Sequence, residues 1–433
     1  MPISAYQRRR AQLAQKIGKG VAVIPTAPER TRNRDAHFPY RFDSHFYYLT
    51  GFTEPEAVCV IIAGKKQRNL LFCREKNLER EIWDGFRHGP EAAREAFGFD
   101  EAYPIARLDE MMPDLLADQP VLQCHMGTDS TWDVRVLGWV NAVRERARTG
   151  VAAPRDIADV HVLVDEMRLR KDTDELDVMR RAAAISTVAH QRAMCTARAG
   201  LSEYTIEAEL LHEFRRNGAQ APAYTSIVAS GANACVLHYV ANDAPLKDGD
   251  LLLIDAGCEL DGYASDITRT FPVNGRYSAA QKDVYELVLA AQAAAIAEVK
   301  PGNAWSAPHD AAVKTLTQGM IDLKLLTGSV EQALETESYR KFYMHRTGHW
   351  LGLDVHDVGD YKRDGEWRAL EPGMVLTVEP GLYIRPGEGV PDALASIGVR
   401  IEDDVVVNAQ GCEILTLAAP KSVRDIEELM RNR

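Results

Sequence analysis

The chain has 433 residues, 46% hydrophobic and 26% charged, with a formal net charge of -12. That length predicts two or three domains and a core large enough to need no disulfides. The acidic balance argues against nucleic acid and anionic membranes as partners, because phosphate recognition needs clustered Lys and Arg. No apolar run reaches the ~18 residues of a membrane span, and the basic start Met1 to Arg10 has no apolar segment behind it, so no secretory signal is expected. Seven scattered cysteines without a Cys-x-x-Cys pair read as reduced core thiols of a cytoplasmic protein.

In chain order, short strands are predicted at 21–25, 46–50, 57–63, 69–73 and 121–125, with helices over 107–118 and 130–148. This is an α/β domain with no cluster that obviously does chemistry. Residues 149–154 read as a surface connection, and the boundary falls between 150 and 172. We divide the chain into domains 1–165 and 166–433. The second domain opens on a helix capped by Asp172, with Glu175 completing a capping box. Helices are expected over 173–198 and 203–217. Another starts at Ser278, with Gln281 as its reciprocal partner, and stops at Lys300-Pro301-Gly302. Strand pairs are expected for 251–256 with 263–273 and for 374–384 with 397–408. Helices, strand pair, helices, strand pair predicts an α+β domain that duplicates one unit around a central antiparallel sheet.

The strand pairs carry acids where apolar residues belong. Leu251-Leu252-Leu253-Ile254 runs straight into Asp255. A turn at Asp261-Gly262 places Asp255 opposite Thr268 and diagonal to Asp266; a turn one residue earlier places it opposite Asp266 itself. Met374 to Val378 likewise ends in Glu379, and Arg400 and Glu402 share one face of the returning strand. Taken singly, each acid also fits an ordinary ion pair: Asp266 with Arg269, Glu402 with Arg400. Asp261 and Asp403 read as plain turn or edge acids. Taken together, four carboxylates on buried faces repel one another unless cations balance them. A loop with three histidines, His345 to Asp357, lies between the pairs and suits presentation of imidazole. Two divalent ions would balance a charge of about -4. Oxygen-rich ligation with one imidazole favours Mn²⁺, with Co²⁺ or Zn²⁺ as alternatives. Two such ions point to hydrolysis.

Five segments then resemble the Xaa-Pro aminopeptidases (aminopeptidase P) and prolidases of the pita-bread metallopeptidases: 253–257, 265–270, 347–357, 378–381 and 400–403. Pro39-Tyr40-Arg41, Tyr48 to Phe52 and Trp83-Asp84-Gly85 resemble that family's first domain. The resemblance implies a pita-bread catalytic domain behind an α/β N-terminal domain. It implies metal ligation by Asp255, Asp266, His349, Glu379 and Glu402, with Asp266 and Glu402 bridging and Glu379 also accepting the proton of the attacking water. It implies that His238 steadies the tetrahedral intermediate and that His356 contacts the substrate backbone. Arg400 would orient a ligand carboxylate. Tyr224, His345 and Trp83 are further substrate-binding candidates. Tyr224, Tyr383, Trp350 and Trp83 are candidates for the apolar wall around proline, and Arg363, Arg368 and Arg385 for a cation that closes the pocket. The implied activity is hydrolysis of the Xaa-Pro bond in peptides with proline second, by a homodimer or homotetramer. Alternatives are a prolidase restricted to dipeptides and a non-catalytic pita-bread module that binds peptides or proteins.

Overall fold

The computed structural model describes residues 1–432 and divides into two compact units, Met1–Arg168 and Leu169–Arg433. The first holds a six-stranded sheet in the order Glu101–Pro104, Arg68–Cys73, Val58–Ala63, Gly20–Pro25, Val121–Gln123, Asp156–Ala158. Its central pairings are antiparallel and its outer ones parallel. Val21, Val23, Val58, Val60, Leu70 and Phe72 bury one face of this sheet with Met112, Val136, Trp139 and Val140.

One expected strand is a helix. Residues 46–50 belong to the helix Ser44–Thr50, whose N-terminus is capped by the Asp43 side chain accepting from Phe46 N at 2.8 Å. Gly51 ends it in the left-handed region, with φ 69°. Every residue of this short helix is buried. An apolar run buried all round carries no helical periodicity, which is why it reads as a strand.

In the second unit the helix Thr173–Thr196 starts where its capping box requires. Asp172 accepts from Glu175 N at 3.0 Å, and Glu175 accepts from Asp172 N at 2.9 Å. Ser278 and Gln281 cap Ala279–Ala297 in the same way. Each half is a helix pair followed by antiparallel strands. Thr173–Thr196 and Glu203–Arg216 precede the sheet Ile227–Ser230, Leu251–Asp255, Thr268–Pro272. Ala279–Ala297 and Ala307–Asp322 precede the sheet Val375–Val378, Asp403–Asn408, Gly411–Ile414 and the pair Gly381–Ile384 with Ile397–Arg400. This is the duplicated antiparallel arrangement of the pita-bread fold.

The ladders break where the acids sit. Asp255 stands opposite Thr268, which leaves Ser265, Asp266 and Ile267 outside the pairing. In the second pair, Val378 faces Asp403 and Gly381 faces Arg400, so Glu379, Pro380, Ile401 and Glu402 fall in a gap. Proline has no N–H to give a ladder, and the gap turns both glutamates off the sheet. Asp403 is not the plain edge acid that the sequence suggested. It is fully buried, taking Arg269 Nη2 at 2.7 Å and Lys421 Nζ at 2.6 Å. Gln292 Nε2 donates to the same carboxylate at 3.0 Å and lies 3.2 Å from Val378 O and 3.3 Å from Ile401 O. The gap is thus tied to the helix behind it.

Candidate metal centre

A pocket of about 430 Å³ in the second unit is lined by Asp255, Asp266, His349, Glu379 and Glu402. Donor atoms of Asp266, His349 and Glu402 lie within 4.8 Å of one another. His349 Nε2 is 3.5 Å from Asp266 and 3.9 Å from Glu379. Its Nδ1 lies 2.9 Å from the carbonyl of Trp350. Since that carbonyl can only accept, Nδ1 carries the proton and the Nε2 lone pair points at the acids, as in a metal-binding histidine.

The carboxylates divide into one with a cation and three without. Arg400 Nη2 meets Asp255 Oδ2 at 2.5 Å. Burial opposes ionisation of Asp255, but Arg400 and the Tyr224 hydroxyl outweigh it and hold its pKa below the usual range. Among the described residues, no Lys or Arg pairs with Asp266, Glu379 or Glu402. Arg269 serves Asp403 and Arg400 serves Asp255, so the ordinary ion pairs offered for Asp266 and Glu402 do not form. Burial and then the charge of Asp255 push Asp266 well up, and burial and then Asp266 do the same to Glu402. Burial and the neighbouring Glu402 raise Glu379 to about 8.

Tyr224 tests whether a cation fits. Its hydroxyl hydrogen-bonds both Asp255, at 2.6 Å, and Asp266. One hydroxyl has one proton to give, so two ionised carboxylates there are left short of positive charge. Divalent ions held by the five side chains would supply it and favour ionisation of all four acids. The donor set therefore fits metal, with hard oxygens and one imidazole.

The remaining predicted residues are placed as follows. His238, His345, His356 and Tyr224 line the pocket with Arg400. His238 and His356 are exposed at its rim, and His356 packs edge-on to His349 at 4.2 Å between ring centres. His345 Nε2 is 2.8 Å from the Tyr383 hydroxyl, which accepts from Arg400 Nη1 at 2.9 Å. Burial and then the Arg400 charge lower His345 to about 3, so it is neutral. Trp83 belongs to the first unit, where it is 83% exposed. The expected apolar walls are only partly right. Trp350 is fully buried against Trp305 and Tyr361, and the pocket uses Ile227, Leu237, Val240 and Val355 instead. Among the described residues the arginines that line it are Arg346 and Arg400, while Arg385 is spent on the carbonyl of Cys235.

Three supporting residues escaped the sequence reading. Thr268 Oγ1 donates to Glu402 at 2.6 Å, and its place opposite Asp255 was the available signal. Asp404 accepts the backbone N–H of Asp266 at 3.1 Å. Lys171 Nζ meets Asp357 at 2.8 Å, both side chains 1% exposed, beneath the loop that carries His356. Neither of the last two has a local signal, being 138 and 186 residues from its partner.

The model of metallopeptidase family M24 matches residues 177–409, and that of the aminopeptidase P N-terminal domain matches 6–123. The Xaa-Pro aminopeptidase of Escherichia coli K12 is 44% identical over 428 residues, covering 98% of this chain and 97% of that protein. Xaa-Pro aminopeptidase 3 of Homo sapiens is 33% identical, covering 96% and 83%. The structure of Pseudomonas aeruginosa aminopeptidase PepP matches with a TM-score of 0.98 and 51% identity, over 100% of this chain and 98% of that one. Zinc-substituted E. coli aminopeptidase P in complex with product matches at 0.97 and 43%, over 100% and 99%. By its fold, its cluster of acids and histidine, and these matches, the chain belongs to metallopeptidase family M24, with the N-terminal domain of aminopeptidase P.

Proposed function

We infer that this chain is a metal-dependent exopeptidase that hydrolyses the Xaa-Pro bond and releases the N-terminal residue of peptides with proline second. One observation carries the reading: three carboxylates without a cationic partner, Asp266 and Glu402 buried and Glu379 half-buried, surround an imidazole in a pocket. The names of its relatives supply the substrate class. Asp255, Asp266, His349, Glu379 and Glu402 would hold two divalent ions, Mn²⁺ first, with Co²⁺ or Zn²⁺ as alternatives. Such ions supply Lewis acidity that activates water and polarises the scissile carbonyl.

The chain's own residues do the rest. Glu379, which bound ions would keep ionised, takes the proton of the attacking water. His238 steadies the charge that develops on the carbonyl oxygen, and His356 holds the substrate backbone at the rim. Arg400 keeps Asp255 ionised and, through Tyr383, fixes the ring of His345. Tyr224 orients the two aspartates. Proline offers no N–H and a fixed φ, so the ring is gripped by apolar contact with Ile227, Leu237, Val240 and Val355 rather than by backbone pairing.

We also propose a homodimer or homotetramer at work in the cytoplasm. None of the seven cysteines is in a disulfide, which suits a reducing compartment, and no helix among the described residues is long and apolar enough to cross a membrane. Leu78, Ile82, Trp83 and Phe86 are exposed together, which supports association.

The test is turnover after chelation and re-addition of Mn²⁺, Co²⁺ or Zn²⁺, on an Xaa-Pro tripeptide, an Xaa-Pro dipeptide and an Xaa-Ala tripeptide. Metal-dependent cleavage of the first at the Xaa-Pro bond, with little of the third, is expected. Cleavage of the dipeptide alone would make the enzyme a prolidase. An Asp266→Ala chain that keeps both its metal and its activity would refute the mechanism.

A further inference from the structure

The first unit carries a second cluster of metal-binding side chains, far simpler than the first. Strands Val121–Gln123 and Asp156–Ala158 run parallel with Gln123 beside Ala158, so the residues that follow them leave the sheet at the same edge. This sets His125 against Asp159, with His125 Nδ1 3.2 Å from both carboxylate oxygens. Asp159 also accepts the backbone N–H of His161 at 3.0 Å. His161 opens the helix His161–Leu169, and its ring lies flat on that of His125, with centres 3.9 Å apart and planes within 9°. The other face of His161 is covered by His45, at 3.8 Å and 2°.

The stack has more negative charge near it than positive. Asp43, Asp159 and Asp165 face the three rings, and among the described residues no Lys or Arg pairs with any of them. His45 is committed, with Nε2 2.7 Å from Asp165 and Nδ1 4.0 Å from Asp43. His161 is not: neither of its ring nitrogens has a hydrogen-bonding partner among the described residues.

We propose that His125, Asp159 and His161 form a separate site for one late transition-metal ion of the Zn²⁺ type. Two imidazoles and a carboxylate favour Zn²⁺, Co²⁺, Ni²⁺ or Cu²⁺ over the harder ions suited to an acid-rich centre. The separation of 3.2 Å between His125 and Asp159 matches the ~3.3 Å between two donors on a tetrahedral zinc with bonds of ~2.0–2.1 Å. The three donor atoms already lie within 4.8 Å of one another. Stacked rings cannot both hold one ion in their planes, so the partly exposed His125 ring tilts out of the stack to bind, while His45 backs the ring of His161. Asp159 is 44% exposed on its side chain, so solvent reaches the fourth position. The ion would pin two strand ends to the first turn of a helix.

Equilibrium dialysis of the full chain against Zn²⁺ near neutral pH, with elemental analysis, tests this. It is run in the wild type and in Asp266→Ala, which disables the peptidase centre, so the outcome does not depend on the proposed activity. In both backgrounds His161→Ala and His125→Ala should each remove one zinc per chain. Cu²⁺ bound to Asp266→Ala should show nitrogen coupling in its electron paramagnetic resonance spectrum that weakens in His125→Ala. If His161→Ala unfolds, Asp159→Asn, a change on an exposed side chain, carries the same comparison. Equal zinc in parent and variant chains, with an unchanged Cu²⁺ spectrum, would show that the rings only pack.

Discussion

Glu379 is pulled in two directions by its surroundings. Burial and Glu402 hold on to its proton, while Arg400 favours the charge. Divalent ions beside it would favour the charge further and leave a carboxylate able to accept a proton at neutral pH. Glu379→Gln keeps the shape and one oxygen donor but cannot accept the proton. We expect kcat on an Xaa-Pro tripeptide to fall by about 10²–10⁴, with most of the metal retained by elemental analysis. A variant within threefold of wild type would move the base elsewhere.

At the scale of elements, the site depends on loops held by distant partners. The loop 352–357 brings His356 to the rim and is anchored by the Lys171–Asp357 pair. Removing one partner of a buried pair leaves the other charge without compensation, which costs about 3–5 kcal/mol. Lys171→Met should therefore lower stability by that order in denaturant titration and reduce kcat/KM as His356 loses its position. Lys171→Met with Asp357→Leu should recover much of the stability and little of the activity. The close approach of strand and loop is equally strict. Any Cβ at Gly257 would run into the carbonyl of Ser265, and one at Gly348 into that of Thr377. Both glycines stand next to stretches that carry ligands.

For the whole molecule, metal and folding are coupled through the acids. In the metal-free protein Asp266, Glu379 and Glu402 have folded pKa values above their unfolded ones. The folded chain then holds more protons than the unfolded chain, so stability falls as pH rises. For Glu379 the contribution is complete below its ordinary value of 4.5 and is lost as pH passes about 8. Tm of the chelated chain should fall between about pH 6.5, above which the buried histidines are neutral whether folded or unfolded, and pH 8, and Mn²⁺ or Zn²⁺ should restore most at the alkaline end, where the ligands are deprotonated. A chelated chain whose Tm rises across that window would contradict the linkage. The sequence alone determined the two capping boxes, the alternation of helices and strand pairs in the second unit, and the family, because caps, periodicity and short motifs are local. It also located every acid that lines the pocket, since charge at the end of an apolar strand is visible in one dimension. Tertiary structure decided which charges meet. Arg269 passes over Asp266 for Asp403, Arg400 takes Asp255, Lys171 finds Asp357, and three imidazoles from separate elements stack in the first unit. Coulombic and hydrogen-bonding choices among buried groups depend on distance in space, and sequence spacing does not supply that distance.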